Sequence, residues 1–245
     1  MTYFEGFVAA VPEANRETYT KHSGEFASVC EEFGVRRQVE AWDSDVPEGK
    51  VTDFRKAVDA KPDEKIVFSW FEYPSKRERD AANEKFMNDP RMKEMAASMP
   101  FDGKRMIIGG FDGIVEEGSP GGGYTDGWVV PVPKDKRDAY RELATRMAPL
   151  FREHGANRIV EAWGDDVKRG EVTDFYRAVK AEDDENVVFS LIEWPDKATR
   201  DSAWEKIMKD ERMQPQGDAP FDGKRMFWGG FEKILDTAEA ELANA

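Results

Sequence analysis

The amino-acid sequence predicts an α+β protein of two ferredoxin-like βαββαβ units whose antiparallel sheets pack together as an internal pseudo-dimer. The first observation behind this prediction is a duplication. A segment of about 115 residues occurs twice, the second copy lying 121 positions after the first, and 120 positions after it beyond a deletion near Met99. VTDFRKAV returns as VTDFYRAV, and PFDGKRM returns unchanged. The chain is therefore one fold written twice in series.

The second observation is the order of the elements, which is the same in both copies. Each copy opens with a run of apolar and small residues that predicts a strand, at 3–11 and 124–132. A helix is predicted next, because apolar residues recur at helical spacing and Gly34 or Gly155 follows as a C-cap. The apolar positions of these helices are Tyr19, Phe26, Val29, Cys30 and Phe33, and Tyr140, Leu143, Met147, Leu150 and Phe151.

Two strands, a second helix and a last strand complete each copy. RQVEAW and KIVFSWFEY, and later RIVEAW and NVVFSLIEW, are rich in β-branched and aromatic residues. Ser75 or Asp196 can cap the second helix. Its buried side is expected to use Ala81, Phe86 and Met87, or Ala203, Trp204 and Ile207. A glycine pair in the last strand, at 109–110 and 229–230, indicates a bulge or a close approach of backbones. This order is that of the split βαβ fold.

The third observation is that the third strand is apolar on both faces. Ile66, Phe68 and Trp70 alternate with Val67 and Phe71, and the second copy repeats this pattern. A sheet with one face in water should alternate apolar with polar residues, so the other copy is expected to cover the second face. The predicted division is repeat one at 1–116, a flexible Gly-rich linker at 117–123, repeat two at 124–236, and a polar tail at 237–245.

Composition and charge exclude several classes of function. The chain has 245 residues and a formal net charge of −14, which disfavours binding to nucleic acid or to anionic membranes. The N-terminal segment has no basic start followed by a long apolar run, so we expect a soluble cytoplasmic protein without a membrane segment. Cys30 is the single cysteine, so no disulfide can form within the chain.

Several strings resemble one known family. VEAWGDDV with VTDF, VVFS followed by EWP, and PFDGKRM followed by GGF are similar to the YbaA-like family of bacterial proteins of unknown function. The resemblance covers nearly all of both copies and implies the dimeric α/β-barrel fold, in which two units pair through their sheets. Family members are usually a single unit, so this chain would be a covalent version of that dimer, with further homo-oligomerisation left open. The resemblance carries over no functional residue.

The usual catalytic and metal-binding residue types give no signature. His22 and Cys30 correspond to Leu143 and Phe151 of the other copy and are read as packing residues, and His154 as a helix-end residue. These scattered residues cannot form a structural zinc site. The stretch at 43–54 lacks the glycine position and final glutamate of a calcium loop. We therefore expect no metal and no cofactor.

The remaining candidates are polar or aromatic residues present in both copies. The candidate general bases are Glu40, Glu72, Glu161 and Glu193, and the candidate ligand-binding residues are Trp42, Trp163, Arg105 and Arg225. A carboxylate beside an indole on a sheet face could have a raised pKa, or it could form a structural hydrogen bond or pair with Arg105.

Three functions follow from these candidates. The first is a small-molecule-binding module with an aromatic pocket in each half, between sheet and helices or at the barrel mouth, near Trp42 and Trp163. The second is a cofactor-independent enzyme of oxygenase or isomerase type, with a sheet carboxylate as base. The third is a non-catalytic protein-interaction module. The sequence leaves open whether the chain is an enzyme, and which ligand or substrate it takes.

Overall fold

The computed structural model describes residues 1–213 and 217–238 of the chain. The strands of the first repeat are β1 Tyr3–Pro12, β2 Arg37–Asp45, β3 Glu64–Tyr73 and β4 Ile107–Gly118, and those of the second are β5 Tyr124–Pro133, β6 Arg158–Asp166, β7 Glu185–Trp194 and β8 Phe227–Asp236. The helices of the first repeat are α1 Arg16–Phe33, α2 Phe54–Ala57, α3 Lys76–Asn88 and α4 Arg91–Ala97. Those of the second are α5 Arg137–Glu153, α6 Phe175–Ala178 and α7 Lys197–Ile207.

The strands of both repeats form one closed antiparallel barrel in the order β1-β3-β2-β8-β5-β7-β6-β4. The first repeat contributes β4, β1, β3 and β2, and the second contributes β8, β5, β7 and β6. The two seams join different repeats: β2 pairs with β8, with Trp42 opposite Glu232, and β4 pairs with β6, with Val115 opposite Glu161. The predicted fold class and internal pseudo-dimer are therefore confirmed.

The barrel interior is filled by side chains from both repeats. The rings of Phe68 and Phe189 stack across the centre with their centroids 4.6 Å apart. Gly6 and Gly127 leave room for these rings, because a Cβ at either glycine would lie 2.7 Å from the facing phenylalanine. The sheet faces that the sequence left uncovered therefore bury each other, which is the main hydrophobic gain of joining the repeats.

The helices on the outer face agree largely with the predicted pattern. Ser75 accepts a hydrogen bond from the N–H of Arg77 at 3.2 Å, and Asp196 accepts one from Thr199 at 2.7 Å, so both expected caps are present. The expected face of α3 was wrong by one position, since Ala82 is buried and Met87 is 80% exposed. Residues four apart share a helix face, so Ala82 and Phe86 both lie toward the core. Phe86 is therefore as expected, while Ala81 and Met87 are exposed.

The short helices α2 and α6 close one end of the barrel and were not predicted from the sequence. Asp53 caps α2 by accepting from the N–H of Lys56 at 2.8 Å, and Asp174 does the same in α6. The ring of Phe54 then enters the barrel and lies 4.7 Å from that of Phe227. Phe175 of α6 contacts Phe111 in the same way, at 5.2 Å.

A cluster of buried charges occupies another part of the interface between the repeats. Arg37 donates hydrogen bonds to Glu72 at 3.0 Å and to Glu193 at 2.6 Å. Arg158, its counterpart in the second repeat, donates to Glu72 at 2.7 Å, to Glu116 at 2.5 Å and to Glu193 at 3.3 Å. Because each arginine binds carboxylates of both repeats, the cluster ties the two halves together.

The connector between the repeats is held against the second repeat by backbone hydrogen bonds. The backbone N–H groups of Ser119 and Gly123 donate to the carbonyls of Asn157 and Pro195, so the expected flexible tether at 117–123 lies bonded along the second repeat. Most of the tail expected at 237–245 lies outside the described residues. Gly110 and Gly230 lie beside register shifts of the two seams, although the extra residue of each shift is on the partner strand. A Cβ at Gly110 or Gly230 would overlap the hydroxyl of Tyr3 or Tyr124, so these glycines permit a close approach. None of the helices in the described ranges has the length and apolar character needed to span a bilayer.

Candidate functional site

A cavity of about 560 Å³ lies between the outer face of the sheet and the helices of the second repeat. Aromatic and aliphatic side chains form much of its wall, among them Trp128, Phe151, Ile192, Trp204, Phe221 and Trp228. Methionines add to the wall: Met147, Met208, Met213 and Met226. Polar groups reach it from Tyr140, Glu161, Ser190 and Arg200. A mostly apolar cavity with a few convergent polar groups is the usual form of a small-molecule site.

The strand alternation and α5 position the polar floor of this cavity. Val160 and Ala162 of β6 point into the barrel, so Glu161 between them points toward the helices. Tyr140, one turn into α5, donates a hydrogen bond from its hydroxyl to Oε2 of Glu161 at 2.8 Å. Burial raises the pKa of Glu161 to about 7, and the hydroxyls of Tyr140 and Ser190 oppose this shift. Glu161 therefore changes its protonation state near neutral pH.

Arg200 of α7 borders the same cavity, but its charge is already compensated. Its Nε donates to Asp126 at 2.8 Å, and its Nη1 donates to Asp45 of the first repeat at 2.8 Å. Asp126 also accepts hydrogen bonds from the indoles of Trp194 and Trp204, at 3.0 and 2.9 Å. This buried network fixes Trp204 in the cavity wall.

The equivalent carboxylate of the first repeat is closed off. Glu40 is 5% exposed and accepts hydrogen bonds from Tyr19 at 2.6 Å, from Gln38 at 2.9 Å, and from Ser69. Burial raises the pKa of Glu40 as well, against these three donors. Glu40 thus has both the raised pKa and the hydrogen bonds that the sequence left as alternatives, while Arg105, its other possible partner, pairs with Glu64 at 2.6 Å.

The other candidate bases, Glu72 and Glu193, lie in the charge cluster and not at the cavity. Although burial opposes it, the hydrogen bond from Arg37 and the charges of Lys233 and Arg158 lower the pKa of Glu193 to about 2. Glu72 accepts from the indole of Trp70 at 3.0 Å besides its arginines. With its pKa this low, the Glu193 carboxylate is a poor proton acceptor near neutral pH.

The four candidate ligand-binding residues also lie apart from the cavity wall. Trp42 is 3% exposed and packs beside Tyr19, with its ring under the guanidinium of Arg16. The ring of Trp163 lies under Arg137. Arg225 pairs with Glu185 at 2.6 Å, as Arg105 does with Glu64. Glu161 is thus the member of the predicted set that the structure places in the cavity.

Sequence reasoning missed the indoles of Trp128, Trp204 and Trp228 and the role of α5. The predicted candidates are residues that both copies share, whereas these tryptophans correspond to Phe7, Asn83 and Ile108. Differences between copies on the outer sheet face were the available signal. Neither His22 nor Cys30 is among the residues that line the cavity, and burial raises the pKa of the Cys30 thiol. Among the described residues, no group of three or more His, Cys, Asp or Glu side chains could hold a metal ion.

A barrel closed across two βαββαβ repeats, with a cavity between sheet and helices, defines a fused dimeric α/β-barrel protein. The solved structures similar to this chain have the same fold. A protein of Fusobacterium nucleatum subsp. nucleatum, provisionally described as a monooxygenase, is 12% identical and has a TM-score of 0.60 over 96% of this chain and 93% of its own. A protein of Lactobacillus acidophilus with the same provisional description is 10% identical, with a TM-score of 0.58 over 96% of this chain and 95% of its own.

The sequence comparison gives the particular family. The family described as "Protein of unknown function (DUF1428)" matches twice, over residues 2–103 and 123–223, and the chain belongs to it. The uncharacterized protein YbaA of Escherichia coli K12 is 59% identical over 117 residues, which are 48% of this chain and 100% of YbaA. YbaA of Shigella flexneri matches to the same extent. The predicted resemblance to the YbaA-like family is therefore confirmed, and this chain carries two copies of a unit that YbaA carries once.

Proposed function

We propose that the second repeat binds an apolar, ring-containing small molecule in the cavity between its sheet and its helices. The observation that carries this proposal is the cavity of about 560 Å³ with the indoles of Trp128, Trp204 and Trp228 in its wall. Aromatic side chains gain most when they pack on another flat ring, by about 0.5–1.5 kcal/mol beyond the burial of area. Binding is also favoured because an apolar ligand displaces poorly hydrogen-bonded water from an apolar wall.

Calorimetric titration of the intact chain with naphthalene, a ring probe without polar groups, tests this function. We expect saturable binding and a rise in the melting temperature, since a ligand that binds only the native state stabilises it. The blocking variant is Ala144→Trp, which adds an indole to the cavity from α5. Its matched control is Ala139→Trp, the same change on the exposed side of that helix.

The two variants decide the location of the site. Binding that is lost in Ala144→Trp and kept in Ala139→Trp supports the cavity as the site. Naphthalene binding that survives Ala144→Trp unchanged would place the ligand elsewhere, and absence of binding to the native chain would remove the proposed function.

A second candidate function is a cofactor-independent enzyme of oxygenase or isomerase type, with Glu161 as the general base. The pKa of Glu161, raised to about 7 by burial, favours it, because a base is most effective when its pKa is near the working pH. The carboxylate would take a proton from the ligand, leaving the electron pair on the ligand as an enolate or phenolate. The monooxygenase descriptions of the two structural neighbours suggest this class. Turnover that Glu161→Gln abolishes without weakening naphthalene binding would support it.

A further inference from the structure

Glu161 presents to the cavity a carboxylate oxygen, Oε1, that lacks the amide donor of its counterpart in the first repeat. In the first repeat, Gln38 donates from its amide to Oε1 of Glu40 at 2.9 Å. The same position of β6 is Ile159, which has no donor, while Tyr140 binds the other oxygen, Oε2. The hydroxyl of Ser190 is close enough to this carboxyl to lower its pKa. Within residues 1–213 and 217–238, however, no hydrogen bond of normal geometry reaches Oε1 of Glu161, and its side chain borders the cavity. One substitution between the copies therefore turns a closed carboxyl into an open acceptor.

The charges around the cavity restrict what can bind this acceptor. The titratable groups in its wall are Glu161 and Tyr140 on the floor and Arg200 on α7. Arg200 already pairs with Asp126, Asp45 and Asp201, so its charge is compensated and attracts an anion only weakly. An anionic ligand would also face the carboxylate of Glu161. An ammonium group could pair with this carboxylate, but its other N–H donors would lie against a largely apolar wall, so its desolvation opposes binding.

A neutral hydrogen-bond donor avoids both the repulsion that an anion would meet and the desolvation of a charged ammonium group. A bound ligand shields Oε1 from water. If the ligand has no donor, Oε1 becomes a buried acceptor without a hydrogen bond, which is unfavourable. A hydroxyl group on the ligand supplies the hydrogen bond that water would otherwise make. On the basis of the proposed function, we propose that the ligand is a neutral ring compound carrying one hydroxyl group, which donates a hydrogen bond to Oε1 of Glu161 while its rings pack on Trp128 and Trp204. The hydroxyl thus sets the specificity, and the indoles supply the binding surface.

The first test compares 2-naphthol with naphthalene on the intact chain by calorimetric titration. At pH 8 we expect 2-naphthol to bind about tenfold more tightly or better, because a hydrogen bond to a carboxylate is among the stronger ones. At pH 5 the carboxyl is mostly protonated and the advantage should be smaller. The phenol of the probe and that of Tyr140 stay neutral over this range. Equal affinities of the two probes at pH 8 would overturn the inference.

The second test supplies Oε1 with an internal donor by placing the first repeat's residue at the equivalent position of the second. Ile159→Gln introduces the amide of Gln38, and we expect the advantage of 2-naphthol to fall to about twofold or less while naphthalene binds as before. Ile159→Val, which adds no donor, is the control and should keep the full advantage. An undiminished advantage in a folded Ile159→Gln protein would overturn the inference.

The outcomes separate this inference from the function on which it rests. If neither probe binds the native chain, the proposed function fails. If both probes bind equally, the function stands and the role of Glu161 fails. Should Ile159→Gln not fold, the comparison of the two probes at pH 8 and pH 5 on the native chain decides alone.

Discussion

The two repeats follow the same path, yet the layer between sheet and helices is packed in the first and hollow in the second. In the first repeat the ring of Phe71 contacts those of Phe7 and Phe26, at 4.8 and 6.0 Å, and Phe26 contacts Phe86 at 5.5 Å. The corresponding residues of the second repeat are Trp128, Ile192, Met147 and Ile207. The first three of these border the cavity. Aromatic rings thus fill the middle of one layer and stand around the middle of the other.

The same contrast holds for the two equivalent carboxyls. Glu40 has three donors and is buried, whereas Glu161 has an oxygen free toward the cavity. A symmetric dimer must keep both of its sites alike, since one sequence builds them both. A fused pair can fill one site for stability and keep the other open, because each copy has its own sequence while the barrel between them is still closed.

The largest effect that separates the two layers is expected from truncating equivalent floor residues. Phe71→Ala should lower the free energy of unfolding by about 3–5 kcal/mol, because it opens a cavity among packed rings. Ile192→Ala should cost about 2 kcal/mol, the low end for such a change, because this side chain already lacks neighbours on the cavity side. Urea denaturation measures both. Equal costs would mean that the two layers are packed alike.

A smaller difference is expected in the pH dependence set by Glu161. Its folded pKa of about 7 lies above the ordinary value of 4.5, so the folded state holds an extra proton between these values and loses stability as the pH rises through them. Glu161→Gln removes this loss. We expect the free energy of unfolding of the variant, relative to that of the native protein, to increase by about 2–3 kcal/mol from pH 5 to pH 8. Denaturation at each pH measures this difference.

Glu193 is the control with the opposite sign. Its pKa is lowered to about 2, so its contribution is present above pH 4.5 and is lost as the pH falls toward 2. Glu193→Gln should therefore destabilise the chain near neutral pH, with a loss that shrinks toward pH 3. If Glu161→Gln shows this same trend instead, Glu161 is held ionised and the account of the cavity floor is wrong.

Much of this architecture could be predicted from the sequence. The duplication gave the two repeats, and the apolar character of both faces of the third strand, seen at Phe68 and Val67, required a cover that the other copy provides. Alternation along the strands also predicted that Glu161 of β6 and its counterpart Glu40 of β2 lie on the same face of the sheet in their repeats. These features are set by periodicity and composition, which the sequence displays directly.

The site itself could not be predicted in the same way. Arg37 and Glu193 meet across the repeats, 156 positions apart, and strand alternation does not reveal which distant charges pair. The position of the cavity depends on how α5 and α7 lie on the sheet. The open oxygen of Glu161 depends on Ile159 in place of Gln38, a difference between the copies that is visible in the sequence but has meaning only once both side chains are placed on the same face as the carboxyl.

The smallest effects are expected from the two tyrosine hydroxyls that bind these carboxyls. Tyr19→Phe removes a donor from the buried Glu40, where water cannot replace it, and should cost about 1–2 kcal/mol. Tyr140→Phe removes the equivalent bond from Glu161, but water in the cavity can donate in its place, so the cost should be below about 1 kcal/mol. Tyr140→Phe should also raise the pKa of Glu161 further, since the Tyr140 hydroxyl opposes the upward shift. Denaturation at pH 6 measures both costs, and a larger cost for Tyr140→Phe would mean that the floor of the second repeat is as dry as that of the first.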